Sequence, residues 1–185
     1  MSGQEPTERG TSPFSGARTR LLGGLRLFAL SGLLLAGVGA VGNLIGWVAL
    51  TTTLGPTAYL LLAHPGSMTA RLRSAVTGHA VAIALGLACL AVFGLWSHPS
   101  VAEQHHETAT QIGAQALAVS LTLFMLHLVD AHHAPAAATA LLISSGITRP
   151  GPPLYGLVVG LALVLAIAPL LAAAISSRAG RGDGG

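Results

Sequence analysis

The stretch that decides the fold is His132-His133-Ala134-Pro135-Ala136-Ala137-Ala138-Thr139-Ala140-Leu141-Leu142. It opens an apolar segment of about eleven residues, with a proline at its start, between two segments long enough to span a membrane. Because a helix rises ~1.5 Å per residue, this segment covers roughly half of a ~30 Å hydrocarbon core. Broken helices at membrane depth are buried in protein or line a polar cavity, and in transporters they mark the binding site. The stretch therefore predicts a transporter of a small solute.

The composition is that of a membrane protein. The chain has 185 residues, of which 52% are hydrophobic and 8% charged, whereas soluble domains carry about 25% charged residues. The net charge of +3 comes from scattered arginines, so we expect no nucleic-acid partner. No acid pair, nucleophile triad, phosphate loop or cofactor motif occurs in the sequence, so we expect neither an enzyme nor a cofactor.

Hydropathy divides the chain into four full spans and two short apolar pieces. The full spans are predicted at 26–50, 75–96, 113–131 and 154–176, and the short pieces at 56–64 and 135–145. Pro56 and Pro135 begin the short pieces, where a missing N–H is tolerated. We therefore predict an all-α membrane protein with four full transmembrane helices and two proline-initiated half-helices, arranged as an inverted repeat of three segments each. Residues 1–25 are predicted to be a disordered cytoplasmic tail, 26–176 the transmembrane domain and 177–185 a flexible cytoplasmic tail.

The arginines orient this arrangement. If the short pieces cross the membrane, eight arginines lie on the side of the termini and only Arg149 lies on the other. If the short pieces are re-entrant, Arg71 and Arg73 change sides, which leaves six against three. Basic residues favour the cytoplasmic side of a membrane, so crossing pieces and cytoplasmic termini are expected. A protomer this small leaves helix faces uncovered in the lipid bilayer, so a homo-oligomer is also expected.

Two stretches resemble the HPP family of small integral membrane proteins. The His-Pro-Pro motif of that family, and the Ala-Gly-Ala-Thr-Ala-Leu-like run after it, correspond to residues 133–141, with Ala134 replacing a proline and Ala137 a glycine. A second family stretch corresponds to residues 55–62, followed by Arg73 and by Gly78-His79. The resemblance implies transport of small anions, with nitrite the best-known candidate, in bacterial and plastid membranes. We therefore expect a multi-pass protein of a bacterial plasma (inner) membrane.

The predicted substrate site combines the starts of both short pieces with two histidines: Gly55, Pro56, Thr57, His79, His133, Pro135, Ala136 and Thr139. A helix N-terminus carries about half a positive charge and free N–H donors. Threonine hydroxyls, including the nearby Thr51, Thr52 and Thr53, bind an anion weakly enough to release it. A protonated histidine would offset the charge of the anion or carry a coupled proton. The alternative for each histidine is a neutral ring that bonds a backbone carbonyl and fixes the start of a helix.

Three further residues receive secondary roles. Arg73 is expected at the ion entrance, with contact to lipid phosphates as the alternative. His127 and Asp130 lie three residues apart, on one face of a predicted helix, and are a candidate proton relay. Helix capping is the alternative for this pair.

The eight histidines leave a second function open. Histidine and carboxylate side chains bind zinc and other divalent ions, and they cluster in two places: His98, Glu103, His105, His106 and Glu107, and Asp130, His132 and His133. The alternative to anion transport is thus a histidine-dependent divalent metal transporter or sensor. A third possibility is a non-transporting membrane scaffold that packs through its glycine-rich helix faces. Neither cluster has a fixed ligand spacing, so no metal ligand is assigned.

Overall fold

The computed structural model describes residues 13–182, and this part of the chain is all-helical. Its helices are α1 (Pro13–Ile45), α2 (Leu54–Ala63), α3 (Leu72–Val92), α4 (Val101–Gln104), α5 (Ala109–Leu128), α6 (Pro135–Ser144) and α7 (Pro152–Gly182), with a single 3₁₀ turn at Met68–Ala70. Four of these helices (α1, α3, α5 and α7) are long and apolar enough to cross a membrane, while α2 and α6 are short apolar helices. The predicted class of four full spans and two short helices is confirmed.

Three predicted boundaries are wrong. Helix α1 begins at Pro13 and α7 continues to Gly182, so 13–25 and 177–182 are helical where tails were predicted. An apolar run predicts only the part of a helix that lies in the hydrocarbon core. Arginine, leucine and alanine have high helix propensity, so the helix can continue beyond the apolar run. Helix α2 begins at Leu54, so Pro56 is its third residue, whereas Pro135 does begin α6. Residues 1–12 and 183–185 of the predicted tails lie outside the described residues.

The helices pack in two groups of three. Helices α1, α2 and α7 form one group, and α3, α5 and α6 form the other. Each group holds one short helix, and each takes its third helix from the opposite half of the chain, so the halves interlock. The two groups have equivalent helix contacts if α1 corresponds to α5, α2 to α6 and α3 to α7. The inverted relation between the two halves stays a prediction.

Glycines allow the segment between α1 and α2 to lie directly against α7. A Cβ atom on Gly156 or Gly160 would overlap the backbone carbonyl of Val48 or Ala49. In the same region, a Cβ on Gly42 of α1 would meet the carbonyl oxygen of Trp47 at 2.6 Å. This close approach sets the path of residues 46–53 and the position at which α2 begins.

One side of the molecule is formed by the loops that follow α3 and α6, and we call it the loop face. The backbone N–H of Val101 donates to the carbonyl of Ser145 at 3.1 Å, and Arg149 pairs with Glu103 at 3.1 Å. These contacts join the loop after α3 to the loop after α6. The end of α6 therefore lies on the same side as the end of α3 and the start of α5.

The other side carries the end of α2, the start of α3 and the end of α5, and we call it the arginine face. Arg71 and Arg73 line one cavity together with Asp130, which follows α5. Arg26 lines another with Pro65, which follows α2. The chain thus leaves the arginine face at the end of α5 and reaches the loop face at the end of α6, so this short segment crosses the molecule.

We predict that residues 132 and 147 are exposed on opposite sides of the membrane. Single cysteines are placed at His132 and Ile147, both exposed, in a Cys89→Ala background. In sealed vesicles an impermeant maleimide should label one of them at once and the other only after permeabilisation. Labelling of both from the same side would mean that the 129–144 segment is re-entrant.

We further predict that Gly160→Ala lowers the stability of the folded protein by about 1–3 kcal/mol, because the added methyl group overlaps the backbone at Ala49. Gly37→Ala on α1 is the matched control, since nothing lies within 4 Å of a Cβ built there. Thermal unfolding of the purified protein in detergent measures both. Equal midpoints for the two variants would contradict the close approach of α7 to residues 47–49.

Candidate functional site

The two short helices begin at the same place. Thr53, which immediately precedes α2, donates from its hydroxyl to the carbonyl of Pro135, the first residue of α6, at 3.1 Å. The same Oγ1 atom lies 3.0 Å from Oγ1 of Thr139, one turn further along α6. The positive ends of two helix dipoles therefore lie together. From this point α2 runs to the arginine face and α6 to the loop face.

His79 of α3 connects the two short helices. Its Nε2 atom lies 3.1 Å from Oγ1 of Thr57 on α2. Its Nδ1 atom lies 2.9 Å from Oγ1 of Thr139 on α6. A single imidazole thus bonds to one hydroxyl on each short helix.

His133 attaches the same site to the 3₁₀ turn. Its Nδ1 atom lies 3.0 Å from the backbone carbonyl of Thr69, and its Nε2 atom 3.5 Å from Oγ1 of Thr57. Because a carbonyl only accepts hydrogen bonds, Nδ1 of His133 carries the hydrogen. The rings of His133 and His79 meet edge to face, with centroids 4.9 Å apart.

The five side chains form one buried unit that we call the Thr–His cluster: Thr53, Thr57, His79, His133 and Thr139. None of them is more than 3% exposed. A buried polar group costs free energy unless it is hydrogen-bonded, and each member of the cluster has a partner among the others or on a nearby carbonyl. The members of the cluster thus supply one another with hydrogen bonds that the apolar side chains around them cannot supply.

One cavity reaches the cluster, and a second lies on the loop face. On the loop face a cavity of about 450 Å³ is lined by Thr51, Thr52 and Thr148 among apolar neighbours. On the arginine face a cavity of about 300 Å³ reaches His133 and Thr69. The Thr–His cluster therefore borders the arginine-face cavity through His133, while Thr53 directly follows Thr52, which lines the loop-face cavity.

The structure brings together five of the eight residues of the predicted substrate site. Thr57, His79, His133 and Thr139 meet through their side chains, and Pro135 joins them through its carbonyl. Ala136 is buried, and its methyl group packs beside Gly78 of α3. Gly55 is half-buried and Pro56 is exposed, because they lie on the side of α2 that faces away from the cluster.

The N–H groups at the start of α6 are already in use. Those of Ala136 and Ala137 donate to the carbonyls of His133 and Ala134 at 3.1 and 3.0 Å. The expectation of free backbone donors is therefore wrong at these two positions, since the turn before the helix supplies their acceptors. Hydroxyl and imidazole groups are the donors that remain at this helix start.

The three residues with predicted secondary roles lie toward the arginine face. Arg73 is exposed and lines the cavity that contains Arg71 and Asp130. The premise that His127 and Asp130 share a helix face is wrong, because α5 ends at Leu128 and Asp130 has a left-handed backbone with φ of 53°. Asp130 pairs instead with His132 at 3.4 Å, and a relay role for His127 and Asp130 stays a prediction.

Two contributors escaped sequence reasoning. Thr53 was grouped with its neighbours as a general hydroxyl donor, although its four-residue spacing from Thr57 places both on one helix face. Thr69 contributes only its backbone carbonyl, which leaves no signal in the residue type.

Two residues of the loop-face histidine cluster bond to groups outside it. Within residues 13–182, no three histidine, cysteine, aspartate or glutamate side chains come close enough to hold a metal ion. In the loop-face cluster, the carboxylate of Glu103 accepts from the N–H of Ser100 at 2.6 Å and pairs with Arg149. The hydrogen bonds from Ser100, together with Arg149, lower the pKa of Glu103. The ring of His106 bonds to the carbonyl of Gln104.

These features define a multi-pass, all-α membrane protein with a buried polar cluster where two short helices begin. A family model described as HPP, transmembrane region, matches residues 17–181. The chain therefore belongs to the HPP transmembrane family, and the family resemblance of its sequence is confirmed. No curated protein matches the chain, and no solved structure matches it.

We predict that His133→Asn keeps most of the stability of the protein, whereas His133→Ala lowers it by about 1–3 kcal/mol. The amide of asparagine still offers a donor to the carbonyl of Thr69, while alanine leaves that carbonyl without a partner. Thermal unfolding in detergent compares the two variants. Equal loss in both would show that the donor from residue 133 is not what holds the 3₁₀ turn in place.

Proposed function

We propose that this protein transports a small monovalent anion, with nitrite the leading candidate, either passively or with protons. The observation that carries the proposal is that α2 and α6 begin together inside the Thr–His cluster. Half-helices that start at a common point inside a membrane protein are a recurrent way to build an ion or substrate site. The cluster also borders a cavity toward the arginine face through His133, and a second cavity lies toward the loop face next to Thr52.

The donors in the cluster suit an anion that must also be released. Three threonine hydroxyls and the imidazole N–H groups replace part of the hydration shell of an anion, and the two helix dipoles favour negative charge. Among residues 13–182, no arginine side chain forms part of the cluster. An anion that enters the cluster must accept hydrogen bonds from groups that now bond to one another. The free energy of binding is therefore reduced by the hydrogen bonds that are broken within the cluster. Weak, exchangeable donors favour turnover over tight binding.

The proposed path begins at the arginine face. Arg71 and Arg73 line a cavity of about 260 Å³, and positive charge at such a mouth raises the local concentration of anions. From there the path passes the cluster and continues to the cavity lined by Thr51 and Thr148. By the positive-inside rule, we place the arginine face and both termini in the cytoplasm of a bacterial cell, with the chain in its plasma membrane.

We also propose a homo-oligomer in the bilayer. In its most apolar stretch, only 17% of α1 is buried within the protomer. Lipid covers part of such a surface, and a second copy of the chain would cover the rest through small residues that allow close approach. We expect no enzymatic activity and no cofactor.

The test compares two buried threonines. Purified wild type, Thr139→Val and Thr122→Val are reconstituted into proteoliposomes, and nitrite uptake is measured against protein-free vesicles. Thr139 bonds to His79 and Thr53 in the cluster, so its valine variant should lower the uptake rate by about 10–100-fold. Thr122 is equally buried but bonds only to the carbonyl of Ala118 on its own helix. Its valine variant should stay within about twofold of wild type.

Two outcomes would overturn the proposal. Equal uptake by both valine variants would remove the cluster from the transport path. Folded wild-type protein that moves neither nitrite, nitrate, formate nor chloride would exclude anion transport of this kind. In the second case, flux of Zn²⁺ would favour the metal alternative, and the lack of any flux would favour the scaffold.

A further inference from the structure

The two histidines of the Thr–His cluster differ in what faces their ring nitrogens. Nδ1 of His133 faces the carbonyl of Thr69, which accepts only, so one hydrogen stays fixed there. Both nitrogens of His79 face hydroxyl oxygens, those of Thr57 and Thr139. A hydroxyl both donates and accepts, so His79 can hold a hydrogen on either nitrogen or on both. His79 is therefore the group that can change its protonation without losing a partner.

The neutral cluster has one hydrogen too few. Three hydroxyls and two neutral imidazoles supply five hydrogens for the six hydrogen bonds of 3.1 Å or less, which include those to the carbonyls of Pro135, Thr53 and Thr69. One bond is therefore left without a hydrogen while both rings are neutral.

A single added proton on His79 removes this shortage. Nε2–H of His79 then donates to Thr57, which donates to the carbonyl of Thr53. Nδ1–H donates to Thr139, which donates to Thr53, which donates to the carbonyl of Pro135. Each hydrogen bond in the two series that start at Nε2 and Nδ1 of His79 now has a hydrogen. Each series ends at a backbone carbonyl.

A lone charge at this depth is costly, whichever sign it has. Helices α5, α6 and α7 and the 3₁₀ turn pack against α3. Within residues 13–182, the titratable and charged groups on these elements and on α2, or directly beside them, include His127, His133, Cys89, Tyr155, Arg71, Arg73, Tyr59 and His64. Of these only His133 contacts His79, and its Nε2 bonds only weakly to Thr57 at 3.5 Å. Neither a bare anion nor a lone imidazolium has a fixed counter-charge in the cluster.

We propose that His79 takes up one proton when one anion enters the cluster, so the protein moves both together without net charge. This inference rests on the proposed anion transport and specifies that the movement of the anion is coupled to that of one proton. The proton comes from solvent on the side of uptake, resides on an imidazole nitrogen of His79, and returns to solvent with the anion on the other side. Imidazolium and anion neutralise each other while both are buried.

The test measures the driving force of nitrite uptake in proteoliposomes. An inward proton gradient should drive nitrite toward an inside-to-outside ratio of about tenfold per pH unit, the limit for one proton per monovalent anion, and faster than in the protein-free control. A membrane potential set with valinomycin and K⁺ should not change the accumulation. His79→Gln offers one donor and one acceptor but gains no proton, and should lose accumulation driven by the gradient. His64→Gln, which changes an exposed histidine paired with Tyr59, should behave as wild type.

A second readout does not depend on transport. Nitrogen-15 NMR of the protein in lipid at neutral pH, with signals assigned by their loss in His79→Gln, should show one protonated ring nitrogen for His79 without nitrite. With saturating nitrite it should show two. Size-exclusion chromatography of each variant checks that it is folded.

The outcomes separate the two proposals. Uptake that follows the membrane potential and ignores the proton gradient would overturn the coupling and keep anion transport. A His79 that stays singly protonated under saturating nitrite would do the same. Nitrite that is not transported under any gradient, and that leaves the His79 signals unchanged, would overturn both.

Discussion

Polar groups at membrane depth need partners within the protein, and this constraint governs the centre of the structure. Two helices begin inside the protein, and each brings turns and hydroxyls that lipid cannot satisfy. The hydrogen bond from Thr53 to the carbonyl of Pro135 joins the two helix starts directly. His79 and His133 then supply bonds to the remaining hydroxyls and to the 3₁₀ turn. The short helices can begin inside the protein because the cluster supplies hydrogen-bond partners to the polar groups at their starts.

The cluster also lies where the two groups of helices meet. Thr53 and Thr57 belong to the group of α1, α2 and α7, whereas His79, His133 and Thr139 belong to the group of α3, α5 and α6. Within each group, glycines bring helices and backbone into close contact, as at Gly160 on the first side and Gly86 on the second. The two groups are joined to each other by the hydrogen bonds of the cluster and by apolar contacts, since Ile143 of α6 and Ile83 of α3 pack into the core of the first group.

Much of the cluster could be predicted from sequence because its residue types are unusual at membrane depth. His79, His133 and Thr139 stand out against alanine and leucine, and a proline marks the start of α6. The expected helix start at Pro56 and the expected shared helix face of His127 and Asp130 are wrong for a local reason: α2 begins two residues before Pro56, and α5 ends two residues before Asp130. The carbonyl of Thr69 could not be predicted at all, because every residue has one.

The sequence by itself determined the number of full spans and the two places where a helix is broken. Both follow from local properties, namely the length of each apolar run and the fixed geometry of proline. Only the tertiary structure decided that α3 and α7 exchange groups, and which hydroxyl meets which imidazole. Those features depend on contacts such as that between Thr53 and Thr139, which are 86 residues apart. Hydrogen bonds over such separations depend on how the whole chain packs, and no local pattern encodes them.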